Sequence, residues 1–322
     1  MHRLTQLKII VRKVSYTKPY LTEENKVTRL EYALSLRAGD TVVYQDLYNY
    51  IHVDEKWFYL TETGEAYYCA PDEDLPHRTV KSKRFIKKVM FLCAQARPRR
   101  LPNGEWWDGK IGIWPIGEVG QAKKGSKNHP KGAPVWENTN VTRDVYCEMM
   151  INKVLPALVE KFPHSYLNPN KGVIIQQDGA KSHILEDDEE WLEAVEALQV
   201  NVKLVTQPAN SPDTNINDLA FFNSIQSLYH EAAPGDEFDM IKAVEKAYND
   251  YPVNKINRMW LTLQSVCNEI IEHNGINDYS IPHLHKEALE REGRLPRVLR
   301  VTQEARKFDT PTRTPIRRQS NP

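Results

Sequence analysis

The sequence has few cysteines and no long apolar run, and each shortage excludes a class of protein. Four cysteines stand among 322 residues without a Cys-x-x-Cys pair, which argues against a cysteine-based zinc site and against a disulfide framework. No apolar run approaches the ~18 residues that a membrane helix needs, and no secretory signal opens the chain. We therefore expect no membrane segment and an intracellular, reducing compartment.

Net charge is also absent, because 43 lysine and arginine residues balance 43 aspartate and glutamate residues. Their distribution is uneven, since fourteen basic and only three acidic residues lie between Arg78 and Lys131. Contacts to phosphates release counterions, so this stretch favours a nucleic-acid partner, with a solvated lysine-rich face as the alternative. The residues that we predict to contact DNA are Lys83, Arg84, Lys87, Arg99, Arg100, Lys123, Lys124 and Lys127.

Three aspartates lie beside apolar segments: Asp54 in HVDEKWF, Asp178 in IIQQDGAKSH and Asp218 in NSPDTNINDLAFF. The first two interrupt or end a strand pattern, and the third opens a helix pattern. Carboxylates within ~4 Å of each other repel by roughly 4 kcal/mol per pair at an effective dielectric near 20, so a triad of this kind needs a cation. Magnesium prefers hard oxygen ligands, and two ions ~4 Å apart would activate a water or a 3′-hydroxyl and stabilise the leaving oxygen. The pattern predicts phosphoryl transfer on nucleic acid.

Each of these aspartates also has a simpler explanation. A solvated strand edge would account for the first, and a helix N-cap would account for either of the other two. Glu55 is expected to point to the face opposite its neighbour and to form a salt bridge with Lys56 or with the basic segment. His183 is expected either to contact a phosphate of DNA or to be a satisfied core histidine.

The apolar segments predict an α/β fold, a mixed sheet with helices on its faces. Their order is strands, helix, strand, helix, strand and helix, which is the layout of the ribonuclease H-like fold. A helix is expected after Thr22, residues 64–70 are expected to pair with the strand that carries Asp54, and residues 119–142 are expected to form a long loop. We predict a linker and lead-in helix at 1–45, a catalytic domain at 46–235 with a basic insertion at 78–142, a helical extension at 236–308 and a disordered tail at 309–322.

Most of the chain resembles the catalytic region of mariner-like transposases of the Tc/mariner superfamily, especially the group found in plants, fungi and oomycetes. KPYLTEENKVTRLEYAL is similar to the linker that precedes their catalytic domain. Six later blocks follow in family order: HVDEKWFYL, KRFIKKVMFL, DGKIGIWPIGE, QQDGAKSHI, QPANSPDTNINDLAFFNSIQSL and GRLPRVL. The 39 residues between Asp178 and Asp218 are similar to the spacing in that group, where the third acid is aspartate.

The resemblance implies a metal-dependent DNA transposase. By motif, Asp54, Asp178 and Asp218 would be the three catalytic acids and would hold two magnesium ions, with manganese as a substitute, while Asp213 would be structural. Such enzymes cleave the phosphodiesters at transposon ends and join the freed 3′-hydroxyl to a TA target. They act on DNA as homodimers or larger synaptic complexes in the nucleus.

Two departures from the family pattern leave other functions open. The family carries two helix-turn-helix units ahead of the linker, which the short N-terminal stretch does not include. Gly179 stands where the family usually has asparagine, which removes an amide beside a metal ligand. The alternatives are a domesticated or inactive transposase-derived protein that binds DNA without cutting it, and a ribonuclease H-like nuclease that joins no strands.

Overall fold

A five-stranded mixed sheet lies at the centre of the structure and carries helices on both faces. The computed structural model describes residues 17–39, 41–60, 86–125, 130–167, 172–232 and 234–308. The strand order in the sheet is β5-β2-β1-β8-β9, with β1 antiparallel to β2, β2 antiparallel to β5, and β1, β8 and β9 parallel. This arrangement confirms the predicted mixed sheet. The strands are β1 Tyr50–Tyr59, β2 Lys88–Ala96, β3 Arg99–Arg100, β4 Trp106–Trp107, β5 Lys110–Pro115, β6 Gly117–Gln121, β7 Pro134–Asn138, β8 Val173–Gln177 and β9 Val202–Thr206.

Nine α-helices are found in the described part of the chain. None of them is long and apolar enough to cross a membrane. The helices are α1 Glu23–Ser35, α2 Arg143–Met149, α3 Leu155–Lys161, α4 His164–Leu167, α5 Glu189–Ala197, α6 Phe222–Glu231, α7 Glu237–Asp250, α8 Val253–Glu272 and α9 Lys286–Arg291. A π-helical turn, Met150–Val154, joins α2 to α3, and a second one, Asn217–Phe221, leads into α6.

The helices divide the apolar core between the two faces of the sheet. Side chains of α1, α6, α7 and α8 pack on one face, where Trp260 of α8 is fully buried. Side chains of α2, α3 and α5 pack on the other face around Trp191. Each fully buried Leu, Ile, Val or Phe stabilises the fold by about 1.5–3 kcal/mol relative to an exposed one. The lead-in helix and the C-terminal helices therefore share one core with the sheet.

Helix α1 begins where the sequence predicts and is anchored by a buried ion pair. The side-chain hydroxyl of Thr22 accepts from the Asn25 backbone N–H at 3.2 Å, and the Asn25 side chain accepts from the Thr22 N–H at 3.2 Å. The fully buried Arg29 pairs with Asp213 through two hydrogen bonds of 2.7 and 2.8 Å, and its Nε donates to the carbonyl of Gly275 at 2.9 Å. These contacts tie α1 to the Pro212–Thr214 turn and to the segment after α8. Asp213 therefore has a structural role.

One expected loop is in part a hairpin. Strands β6 and β7 pair in antiparallel register, with Val119 opposite Trp136, so the loop prediction for 119–142 is wrong at these residues. The hairpin lacks apolar alternation because it is largely exposed, as the 62% exposure of Val119 shows. Backbone pairing holds the hairpin together, and Trp136 packs partly buried against the core. The predicted pairing of residues 64–70 and the predicted tail at 309–322 lie outside the described residues.

Candidate active site

The three predicted aspartates lie on three separate segments of the chain around strands β1 and β8. Asp54 lies within β1, Asp178 directly follows β8, and Asp218 lies in the π-helical turn that leads into α6. Strands β1 and β8 pair in parallel from Tyr50 with Ile174 to His52 with Gln176. Continuing that register would place Asp178 beside Asp54 on the same face, and neighbouring strands lie about 4.8 Å apart.

Asp54 is buried beside other acidic groups. Its side chain is 7% exposed, Oδ1 accepts from the backbone N–H of Glu55 at 2.9 Å, and Oδ2 is buried without a hydrogen-bond partner in the described structure. Burial, followed by the negative charges of Asp218 and Glu55, raises the pKa of Asp54 to about 9. An unpartnered buried carboxylate oxygen is costly, so this position needs either a proton or a cation.

Asp218 lies at the exposed rim of the same acidic cluster. Partial burial raises the pKa of Asp218, although the nearby cation Lys56 acts in the opposite direction. Without a metal, burial and the charge of Asp218 favour a protonated Asp54, and a cation with oxygen ligands would take the place of that proton.

Asp178 is held in its charged form by a buried histidine. Its Oδ1 accepts from the backbone N–H of Ala180 at 2.9 Å and pairs with Nδ1 of His183 at 2.7 Å. The hydrogen bond from His183 lowers the pKa of Asp178 in spite of partial burial. The other ring nitrogen of His183, Nε2, pairs with Oε1 of Glu55 at 3.0 Å, and the ring stacks on Tyr146 with centroids 4.0 Å apart. Burial disfavours the imidazolium, but the two carboxylates raise the pKa of His183 to about 10.

This arrangement changes two expectations about neighbouring residues. Glu55 forms its ion pair with His183, rather than with Lys56 or with the basic segment. His183 is 5% exposed and has both ring nitrogens engaged, so its geometry favours holding Asp178 over contacting a phosphate. The five-residue step from Asp178 to His183 was visible in the sequence. The link from His183 to Glu55 spans 128 positions, and no local pattern indicates it.

The residues predicted to contact DNA have different environments. Arg99 is 3% exposed, and its guanidinium packs against the rings of Tyr48, Trp107 and Phe162 at 4.6–5.3 Å, which conflicts with a surface role. Arg100 is exposed, with its guanidinium 5.7 Å from the Trp106 ring. Among the other predicted DNA contacts, Lys87 is exposed and paired with Glu237. Lys123 and Lys124 are exposed as well. Lys83, Arg84 and Lys127 lie outside the described residues.

The donor set fits a hard divalent cation. Carboxylate oxygens are the ligands that magnesium and manganese prefer, and the unpartnered Oδ2 of Asp54 lies where a cation would relieve its burial. In the described ranges, no three His, Cys, Asp or Glu side chains are already grouped closely enough to hold one ion. A site with all three aspartates as ligands would require their carboxyl groups to lie closer together than they do in this structure.

Comparison with known proteins gives a structural match only. No family model matches the sequence, and no curated protein matches it. Among solved structures, a pre-cleavage Mos1 transpososome aligns over 86% of this chain and 70% of its own, with 19% identity and a TM-score of 0.58. The Mos1 mariner paired-end complex with Mn aligns over 87% and 71%, with 19% identity and a TM-score of 0.57. The catalytic domain of Mos1 mariner transposase aligns over 82% of this chain and 100% of its own, with 17% identity and a TM-score of 0.53. At these identities the match shows the fold, which is the predicted ribonuclease H-like one.

Proposed function

We propose that this chain is the catalytic region of a mariner-type DNA transposase. The observation that carries the proposal is the buried Asp54 carboxylate, whose Oδ2 lacks a hydrogen-bond partner and whose pKa is raised by burial and by the nearby charges of Asp218, Glu55 and Asp178. The proposal is supported by the fold that this chain shares with Mos1 transposase structures, some of which were solved with Mg or Mn. The proposed reaction is cleavage of the phosphodiesters at transposon ends, followed by joining of the 3′-hydroxyl to a TA target.

The protein groups have separate tasks in this reaction. Asp54 and Asp218 would bind divalent ions, Mg²⁺ or Mn²⁺, with Asp54 giving up the proton that its raised pKa favours in the metal-free protein. When bound, two such ions supply an activated water or 3′-hydroxyl and stabilise the leaving oxygen. His183 keeps Asp178 ionised and fixes its Oδ1, which leaves the other carboxylate oxygen for the site. Glu55 holds the far side of the histidine ring.

The partners follow from the same proposal. The Mos1 structures include paired-end and strand-transfer complexes, and we extend that mode of action to this chain, with two copies acting on two DNA ends in the nucleus. The exposed basic residues Arg100, Lys123 and Lys124 are the proposed DNA contacts among the described residues.

A nicking assay with a matched control tests the proposal. The wild type is expected to nick supercoiled plasmid DNA in Mg²⁺ or Mn²⁺ and to stop in EDTA. Asp178→Asn should fold and bind DNA but should not nick, whereas Asp187→Asn, which changes an exposed acid, should behave as the wild type. Salt-sensitive DNA binding without metal-dependent nicking by the wild type would contradict the enzyme and favour a binding protein. Strand joining is scored separately, with a free 3′-hydroxyl substrate and a TA-containing target.

A further inference from the structure

Two buried asparagines fasten the turn that carries Asp218 to the strand that carries Asp54. We infer that Asn215 and Asn217 are positioning residues that set the separation of these two acids for metal binding. Asn217 Nδ2 donates to the carbonyl of His52 at 3.0 Å, and Asn215 Nδ2 donates to the carbonyl of Val53 at 3.2 Å. The inference rests on the proposed function, because it assigns these residues to the same metal site.

The hydrogen bonds that these two asparagines donate lie directly beside both aspartates in the sequence. His52 and Val53 are the two residues before Asp54, and Asn217 is the residue before Asp218. A third bond joins the same segments, since the backbone N–H of Ile216 donates to Nδ1 of His52 at 3.1 Å. The side chains of Asp54 and Asp218 are short, and each extends from a backbone segment that these hydrogen bonds hold in place. The relative position of the two carboxyl groups is therefore fixed by these contacts rather than by a flexible loop.

Both asparagines are fully buried and their amides are engaged. The side-chain oxygen of Asn215 accepts from the backbone N–H of Asn217 at 3.0 Å. This bond holds the side-chain amide of Asn215 against the backbone of Asn217. The side-chain oxygen of Asn217 faces the thiol of Cys93 at 4.0 Å, and Cys93 is the β2 partner of Asp54. Buried polar networks with every member satisfied hold one arrangement. An alanine would leave a carbonyl of β1 without its donor.

The local helix geometry points in the same direction. Asp218 is the second residue of the π-helical turn Asn217–Phe221 rather than part of a regular α-helix. Single π-helical turns within helices occur frequently at functional sites. Here the turn and the asparagines act together, because the turn begins at the residue that is bonded to His52. Loss of either asparagine should loosen Asp218 while leaving the acids themselves unchanged.

The test is a manganese titration of the metal-free protein, with unbound Mn²⁺ measured by electron paramagnetic resonance. Removing a partner that orients a metal ligand typically weakens metal affinity about 10–100-fold. Asn217→Ala and Asn215→Ala should each raise the half-saturating Mn²⁺ concentration by about 10-fold or more and should shift the Mg²⁺ requirement for nicking in parallel. Asn223→Ala removes an exposed asparagine from α6 and should leave the half-saturation unchanged.

Thermal unfolding in EDTA separates positioning from a general loss of structure. Folded variants with weakened Mn²⁺ binding, and recovery of nicking at high Mg²⁺, support the inference. Folded variants that bind Mn²⁺ as the wild type does overturn it and leave the proposed function intact. Variants that are unfolded without metal also overturn it, since the asparagines would then serve the whole fold. A wild type that binds no Mn²⁺ overturns the proposed function itself, and this inference with it.

Discussion

Replacing Asp54 by asparagine should stabilise the metal-free protein at alkaline pH. The pKa of Asp54 is raised from 3.8 to about 9 in the fold, first by burial and then by Asp218 and Glu55. The folded state therefore keeps a proton that the unfolded chain releases as the pH rises. The stability associated with this proton is fully present below the ordinary carboxyl pKa and is lost between about pH 4 and pH 9. Asparagine does not titrate, so the Asp54→Asn variant does not lose this stability as the pH rises.

The size of the effect follows from the pKa shift. One pH unit between the two pKa values corresponds to about 1.4 kcal/mol, which gives an upper limit of about 6 kcal/mol at pH 8. Lys56 lies near Asp218 and counters part of the negative charge beside Asp54, so part of the cost is offset. We expect Asp54→Asn to raise the free energy of unfolding by about 2–4 kcal/mol at pH 8 and by less at pH 5.

Denaturant unfolding in EDTA at pH 5 and pH 8 measures this difference. Asp187→Asn, at an exposed position, serves as the control and should follow the wild type at both pH values. Mg²⁺ at 1,000 times its Kd should reverse the order, because it stabilises the wild type by about 4.1 kcal/mol and the variant lacks a metal ligand. The reasoning is refuted if Asp54→Asn is less stable than the wild type at pH 8 in EDTA, or if the difference does not grow with pH.

Three further predictions concern charged residues other than the three aspartates. Arg29→Met should cost about 3–5 kcal/mol in denaturant unfolding, because it leaves the Asp213 carboxylate without its cation and with the Tyr279 hydroxyl as a remaining donor. A cost below about 1 kcal/mol would contradict that role. His183→Gln should destabilise the protein more at pH 6 than at pH 10, because the pKa of His183 is raised to about 10 and its stabilising charge is lost as the pH passes that value. An equal loss of stability at both pH values would count against a charged His183 paired with Asp178 and Glu55. Arg99→Ala should lower the free energy of unfolding by about 1–3 kcal/mol without changing the salt dependence of DNA binding. Arg100→Ala should leave stability unchanged and reduce the slope of log affinity for DNA against log salt concentration by about 1. The opposite pattern would support a surface role for Arg99.

Local sequence patterns predict the sheet, the lead-in helix and the placement of the acids. Strand β8 reads as a short apolar run because it is buried on both faces, and Asp178 marks its end. Thr22 predicts the start of α1 because a side-chain cap acts within three residues. These features depend on neighbours in the chain, which a single sequence displays.

The features that the sequence does not predict depend on contacts between distant segments. The basic run around Arg99 suggests a surface, but aromatic residues from three other segments bury its guanidinium. Alternation correctly places Glu55 on the face opposite Asp54, yet its partner His183 is brought in by a different loop. Charge counting and periodicity carry no information about such partners, which only the folded structure brings together.

The position of the acids has a common cause in the sheet itself. Strands β1 and β8 stop pairing after His52 and Gln176, so the sheet opens where Asp54 and Asp178 follow. In open α/β sheets, ligands bind in such crevices beyond the carboxyl ends of the strands. The carbonyls of β1 at this point are taken by Asn215 and Asn217, so the third acid reaches the same opening without leaving backbone groups unpaired. The recorded pairing of β1 with β8 therefore ends at a place where the proposed metal ions would need room.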